Sequence, residues 1–284
     1  MVGTKIDGLV VSSAVREQVK KDAEHLKSQG IQPCLATVLV GDNPASATYV
    51  RNKQKACAEV GIKTKDHKLP STVTQSELNS LVDTLNKDSE VHGILVQLPL
   101  PTQCNEFETT SRILPTKDVD GLTPQNAGLL AMKKAVLKAC TPSGVIELLQ
   151  YYSIPVEGKN TLIINRSNLV GKPLIHLLLE KNATVTVAHS KTKNLIDVCK
   201  SADIIITGVG DRTKFKLTKE MIREGAVVID VATTRLDGKL VGDCDFDDII
   251  QKASFASPVP GGVGPMTIAM LLKNTVTAAG YGRN

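Results

Sequence analysis

Lys53 stands where a lysine is out of pattern. Within Gly41–Ile62 (GDNPASATYVRNKQKACAEVGI), turning the chain by about 100° per residue puts Tyr49, Val50, Ala56, Cys57 and Val60 on one face. Arg51, Lys55 and Glu59 fall opposite, while Lys53 sits in the middle of the apolar face, one turn after Tyr49. Such a lysine either runs its charge out to water along an aliphatic stem or lines a cleft. In a cleft, partial burial lowers an ammonium pKa and leaves an amine that can take up a proton. Both ends of the helix are marked. Asp42 or Asn43 can cap its start, Pro44 suits the first helical position, and Gly61 can turn left-handed past its end.

Other residues carry chemistry less openly. Gln97 closes the apolar run Gly93–Leu98 (GILVQL). Asp120, within Lys117-Asp118-Val119-Asp120-Gly121-Leu122, reads first as a turn residue, because Asp-Gly pairs commonly make turns. Ser257–Pro265 (SPVPGGVGP), which holds Pro260 and Gly261, reads as a linker and equally as a loop whose backbone comes close to a ligand at a helix amino terminus. Asn165–Pro173 (NRSNLVGKP) follows an apolar run but is no G-x-G-x-x-G; Asn165 tolerates positive φ and could stand in for a turn glycine. After the next apolar run come His189-Ser190-Lys191, where an NAD site places an acid for the ribose hydroxyls. A hydroxyl and a lysine there, with Arg166 on the neighbouring loop, suit a 2′-phosphate, so the expected cofactor is NADP. His189 itself reads as a structural loop residue.

The elements that must position these residues alternate. An amphipathic helix is expected over Ser12–Ser28, then a buried strand Cys34–Val40, the helix of Lys53, a strand near Thr64–Leu69, a helix Thr74–Lys87 and the strand ending at Gln97. Thr141-Pro142 opens a helix to about Tyr152. Beyond it lie strands at 161–165, 184–188, 203–207 and 226–231, with helices near 170–181 and 195–200, and a last apolar helix from near Met266. Strand–helix alternation implies mostly parallel sheets, whose ligands gather beyond the carboxyl ends of the strands. Gln97 and Lys53 can therefore meet in one cleft. The fold expected is α/β in two domains: a substrate domain over 1–121 and a Rossmann-like cofactor domain over 122–284, with the helix at about 266–280 packing back on the first and the active-site cleft between them.

Composition narrows the function. The 284 residues are 22% charged and 42% hydrophobic with a net charge of +5, ordinary for a globular protein and suited to anionic small molecules. Scattered lysines, no tryptophan and few aromatics argue against a nucleic-acid surface. Six cysteines without a C-x-x-C pair and five dispersed histidines give neither a disulfide framework nor a metal site. The first residues lack a signal pattern and no apolar run reaches membrane-spanning length, so no membrane association and a cytoplasmic location are expected.

YVRNK (49–53), VQLPLP (96–101), KDVDG (117–121), RSNLVGKP (166–173) and PVPGGVGPMT (258–267) fall in an order and at separations that closely resemble the methylenetetrahydrofolate dehydrogenase/methenyltetrahydrofolate cyclohydrolase family, the bacterial FolD type. The likeness runs over nearly the whole chain. It implies oxidation of 5,10-methylenetetrahydrofolate with NADP, then hydrolysis of the methenyl cation to 10-formyltetrahydrofolate. It also implies Lys53 as general base and proton carrier, Tyr49 stacking on or orienting the substrate, Gln97 tuning Lys53, and Asp120 holding the pterin. Pro260 and Gly261 would border the folate, and Asn165, Arg166, Ser167, Ser190 and Thr233 the cofactor. A homodimer and a polyglutamylated folate are further implications. Two departures stand out: Asn165 where the family usually has glycine, and Ala232 in Val231-Ala232-Thr233-Thr234 where it usually reads Val-Gly-Ile-Asn. A side chain in place of hydrogen could crowd the cofactor, and the alternative is a cyclohydrolase with weak or lost dehydrogenase activity.

Overall fold

The computed structural model describes residues 2–281. The chain runs β1 (Thr4–Lys5), α1 (Gly8–Ser28), β2 (Cys34–Val40), α2 (Pro44–Glu59), β3 (Lys63–Leu69), α3 (Gln75–Lys87) and β4 (Gly93–Val96). Two short helices, α4 (Glu106–Ser111) and α5 (Pro124–Ala131), precede α6 (Cys140–Tyr151). Then come β5 (Asn160–Ile164), α7 (Gly171–Leu179), β6 (Thr184–Ala188), α8 (Leu195–Lys200), β7 (Ile204–Thr207) and β8 (Val227–Asp230). The hairpin β9 (Thr234–Leu236) and β10 (Lys239–Val241), α9 (Phe246–Ile249), β11 (Phe255–Ala256) and α10 (Val263–Gly280) complete the chain.

The fold separates into two compact units. One holds Ala14–Cys140 together with the chain from Ile268 on; the other holds the residues up to Ser13 together with Thr141–Thr267. In the first, a parallel sheet runs in the order β3-β2-β4. Every residue of β2 (CLATVLV) is buried, as a central parallel strand covered on both faces requires. Ala36, Val38, Ile94 and Val96 pack there with Leu78, Val82 and Leu85 of α3. Thr74 starts α3 with a full capping box, its side chain accepting the Glu77 N–H while the Glu77 carboxylate accepts the Thr74 N–H.

In the second unit six strands lie in the order β1-β11-β8-β7-β5-β6, every pair parallel. Leu162, Ile164, Ile205 and Val228 form one side of its core with Cys199 and Ile249. Here α1 starts four residues before the expected Ser12. Asp7 explains the early start: its Oδ1 accepts the N–H groups of Leu9 at 3.0 Å and Val10 at 3.4 Å, so an aspartate supplies the cap. Gly8 is held close to the 261–262 turn, donating its N–H to the Gly261 carbonyl at 2.8 Å, and a Cβ on it would overlap the Gly262 carbonyl oxygen.

Candidate active site

The α2 helix is placed by its ends. Asn43, not Asp42, caps it, its Oδ1 accepting the Ser46 N–H at 3.2 Å; Asp42 instead pairs with Lys68 at 2.7 Å. Gly61 takes φ +76°, and the Ile62 N–H closes the end on the Cys57 carbonyl at 2.9 Å. Val50, Ala56, Cys57 and Val60 are buried, and Arg51, Lys55 and Glu59 are exposed, as their spacing dictates. Tyr49 departs from that stripe: it is 52% exposed. It lies in the second turn of α2, the helix that follows β2.

Lys53, one turn further on, is half-buried and donates from Nζ to Gln97 Oε1 at 3.1 Å. Gln97 is fixed by its strand: its N–H continues the ladder onto the Val38 carbonyl at 2.9 Å, and its Nε2 donates to the Leu98 carbonyl at 2.7 Å. With the amide nitrogen so engaged, Oε1 is turned towards the lysine.

Asp120 completes the group. It is half-buried, and burial pushes its carboxyl above the usual range, with Lys53 nearby pulling the other way. The turn that carries it is held from several sides. Asp118, 2% exposed, accepts the N–H groups of Leu122 at 3.2 Å and Thr123 at 2.8 Å and the Asn126 side-chain amide at 2.9 Å. Asn274 of α10 donates to the carbonyls of Val119 and Lys138, both at 2.8 Å. The buried Cys140 thiol donates to the Val119 carbonyl at 3.2 Å and is also bonded to Asp120; burial, then the Asp120 charge, raises its pKa well above the ordinary thiol value. Gly121 sits at φ +68°, where a Cβ would overlap the Lys138–Ala139 backbone. Asp118, Cys140 and Asn274 were not singled out from the sequence. Asp118 lies within the same motif as Asp120, but nothing local marks a helical asparagine, 155 residues after Val119, as a partner in the turn.

The structure therefore groups Lys53, Gln97 and Asp120, with Tyr49 one turn away on α2. Pro260 and Gly261 lie in the other unit, on the loop between β11 and α10. The Val259–Pro260 peptide is cis, and Gly261 has φ +96°.

The remaining expected residues stand past the carboxyl ends of the six-stranded sheet. Ile164 pairs with Ala188, so Arg166 and Ser190 each lie two residues beyond matched ends of neighbouring parallel strands. Strands in such a pair are about 5 Å apart, which brings the two loops side by side. Both side chains are exposed and, among the described residues, neither is hydrogen-bonded to the protein. Thr233 is exposed after β8. Ser167 accepts the Val170 N–H at 3.1 Å. His189 is structural, its Nδ1 accepting the Lys191 N–H at 3.2 Å.

Asn165 behaves differently from the turn glycine it was expected to replace. Its φ is not positive. Instead its side chain braces the loop: Oδ1 accepts the N–H groups of Ser167 at 2.7 Å and Gly171 at 3.0 Å, and Nδ2 donates to the Gly208 carbonyl. Ala232 is buried, its N–H donated to Asp230 at 3.0 Å.

A doubly wound parallel sheet with basic and hydroxyl groups past its strand ends, in a chain whose other unit bears a lysine–glutamine–aspartate cluster, defines a two-domain dinucleotide-dependent enzyme. Comparison with known proteins is specific about which. The catalytic-domain model of tetrahydrofolate dehydrogenase/cyclohydrolase matches residues 6–120, and the NAD(P)-binding-domain model of the same enzymes matches 139–282. The bifunctional protein FolD of Nitrosopumilus maritimus is 72% identical over 98% of this chain and 97% of its own. Among solved structures, the bifunctional enzyme FolD of Campylobacter jejuni superposes with a TM-score of 0.94 at 48% identity, covering 97% of this chain and 98% of that one. The Trypanosoma brucei methylenetetrahydrofolate dehydrogenase-cyclohydrolase, solved with NADP and an inhibitor, gives 0.91 at 38% identity over 98% and 97%. The chain belongs to the tetrahydrofolate dehydrogenase/cyclohydrolase family.

Proposed function

We propose that the protein oxidises 5,10-methylenetetrahydrofolate to the methenyl cation with NADP and hydrolyses that cation to 10-formyltetrahydrofolate, with Lys53 as the proton carrier. The observation that carries the assignment is the 3.1 Å contact between Lys53 Nζ and Gln97 Oε1, beside the half-buried Asp120. In the hydrolysis a water oxygen bonds to the methenyl carbon and its proton passes to the unprotonated Lys53 amine. The bond from that carbon to N5 then breaks as Lys53 returns the proton to N5, and the remaining hydroxyl proton leaves to solvent as the C=O bond forms, so that the formyl group stays on N10. Gln97 holds the amine in place throughout. Asp120 binds the pterin through its carboxyl, and Tyr49 lies against the substrate as an exposed ring one turn away. Pro260 and Gly261 border the folate.

NADP, when bound, accepts the hydride. The fit of this chain to it rests on Arg166 and Ser190, two exposed groups at adjacent strand ends without hydrogen-bond partners among the described residues, suited to a 2′-phosphate. Asn165, Ser167 and Thr233 line the same edge. Neither departure from the family pattern argues for a lost dehydrogenase half. The Asn165 amide is turned inward onto Ser167, Gly171 and Gly208, and Ala232 is buried with its N–H engaged. Lys53, Gln97 and Asp120 belong to one unit, and the cofactor loops, with Pro260 and Gly261, to the unit of the six-stranded sheet.

Family membership further supports a homodimer acting in the cytoplasm on polyglutamylated folate. No helix among the described residues is long and apolar enough to cross a membrane. Replacing Lys53 by Met tests the central assignment. Methenyl hydrolysis should be abolished while folate binding stays measurable; hydrolysis at the wild-type rate would remove Lys53 as the base.

A further inference from the structure

The segments Gly208–Arg212 and Val231–Thr233 leave the second unit's sheet side by side, because Thr207 and Asp230, the last residues of β7 and β8, are paired. Beneath them lie two carboxylates almost sealed from solvent, Asp230 at 2% and Asp243 at 0% exposed. Burying two acids together costs several kcal/mol each unless donors meet them. Here donors do, three of them backbone N–H groups of these very loops. Asp243 Oδ2 accepts the Thr207 hydroxyl and the Val209 N–H, both at 2.6 Å, and Oδ1 accepts the Gly210 N–H at 3.0 Å. Asp230 accepts the Ala232 N–H at 3.0 Å on one oxygen and the Cys244 N–H at 2.7 Å on the other.

The strand end that brings Asp243 in is itself pinned. Arg212 donates to the Gly242 carbonyl at 2.9 Å, and the Leu217 N–H donates to the Asp243 carbonyl at 2.9 Å. Gly242 lies so close to Asp230 that a Cβ would overlap the Oδ2 atom. From the other side Asn165 ties Gly208 to the loop after β5. The loops that follow β5, β7 and β8 thus share one polar foundation, and ionised acceptors hold their donors roughly twice as strongly as neutral ones.

We propose that Asp243 is a positioning residue for dinucleotide binding: by holding the Val209 and Gly210 N–H groups inward it fixes the loop after β7 against which the cofactor is bound, and Asp230 does the same for the loop after β8. The inference rests on the reading that this unit holds NADP. It predicts a split between the two activities, since hydrolysis of methenyltetrahydrofolate needs no dinucleotide.

Asp243→Asn keeps the shape but sets an amide NH2 against an N–H. On the full-length protein, NADP affinity is measured by calorimetry, the NADP KM in the dehydrogenase assay, methenyl hydrolysis without dinucleotide, and amide exchange at Val209 and Gly210. The NADP Kd and KM should rise about tenfold or more, the scale of a lost charged hydrogen bond, with hydrolysis within about twofold of wild type and exchange at the two amides faster. Thr207→Val removes one neutral donor and should raise the Kd about threefold in a protein that folds even if Asp243→Asn does not. An unchanged Kd in Asp243→Asn, or in Thr207→Val should the former not fold, overturns the inference. So does a parallel fall of both activities. A wild-type protein that binds no NADP overturns the functional reading first, and this inference with it.

Discussion

Replacing Asp230 by Asn should change how the protein's stability depends on pH, by an amount the structure sets. Burial is the leading reason that the Asp230 carboxyl titrates at about 6 rather than 3.8; the Cys244 N–H pulls it back, and the neighbouring Asp243 charge adds to the rise. A difference of about 2 pH units is worth about 3 kcal/mol. The folded chain binds this proton more tightly than the unfolded one, so the group's stabilising contribution is complete below pH 3.8 and is lost as pH rises through 6. The groups facing Asp230 are Asp243, Cys244 and, through Cys244, Arg212. Other carboxyls titrate in the opposite sense, such as Asp211, held to about 2 chiefly by its hydrogen bond from Lys214, but they are common to both proteins and cancel in the difference. Urea unfolding followed by circular dichroism from pH 4 to 7.5, wild type minus Asp230→Asn, isolates the term. An Asn that opposes one amide to a backbone N–H adds a constant offset and leaves the slope untouched. The difference should fall by about 3 kcal/mol as pH rises across the window. A flat or rising difference would refute the account of this buried acid.

Arg166→Ala should weaken NADP by about tenfold while NAD changes little, because only NADP offers the 2′-phosphate to a guanidinium; equal losses in a competition assay would remove that assignment. Gly121→Ala forces a Cβ into the Lys138–Ala139 backbone at φ +68°, and should cost about 2 kcal/mol or more together with folate affinity. Its melting temperature and folate titration, unchanged from wild type, would show that the Asp120 turn is not held as described.

The long helices were legible because their patterns are periodic, and the strands because they are short apolar runs: CLATVLV reads as a strand buried on both sides, and its observed bounds match. Lys53 was legible for the opposite reason, as the one charge that broke such a pattern. What the pattern could not give was depth. Tyr49 shares the helical stripe yet is half exposed, and a helical projection carries no information on depth. Asn165 was expected to substitute for glycine through its backbone and does so through its side chain, a choice decided by the distant Gly208 carbonyl. Asp118, Asp243 and Asn274 look like ordinary surface residues in the chain. Their roles arise only when folding surrounds them with N–H groups or carbonyls from elsewhere.

One pairing bears on how such a chain is made. Thr4 and Lys5 form the outermost strand of the second unit's sheet, bonded to Phe255 and Ala256. During synthesis from the ribosome these residues have nothing to pair with until Phe255 and Ala256, some 250 positions later, have been made. The Lys53 unit faces a similar delay for α10 alone, whereas its three strands and their helices are complete much sooner. Translation therefore delivers the three-stranded sheet early, whereas the six-stranded sheet gains its outermost strand only once residues 255–256 are available to residues 4–5.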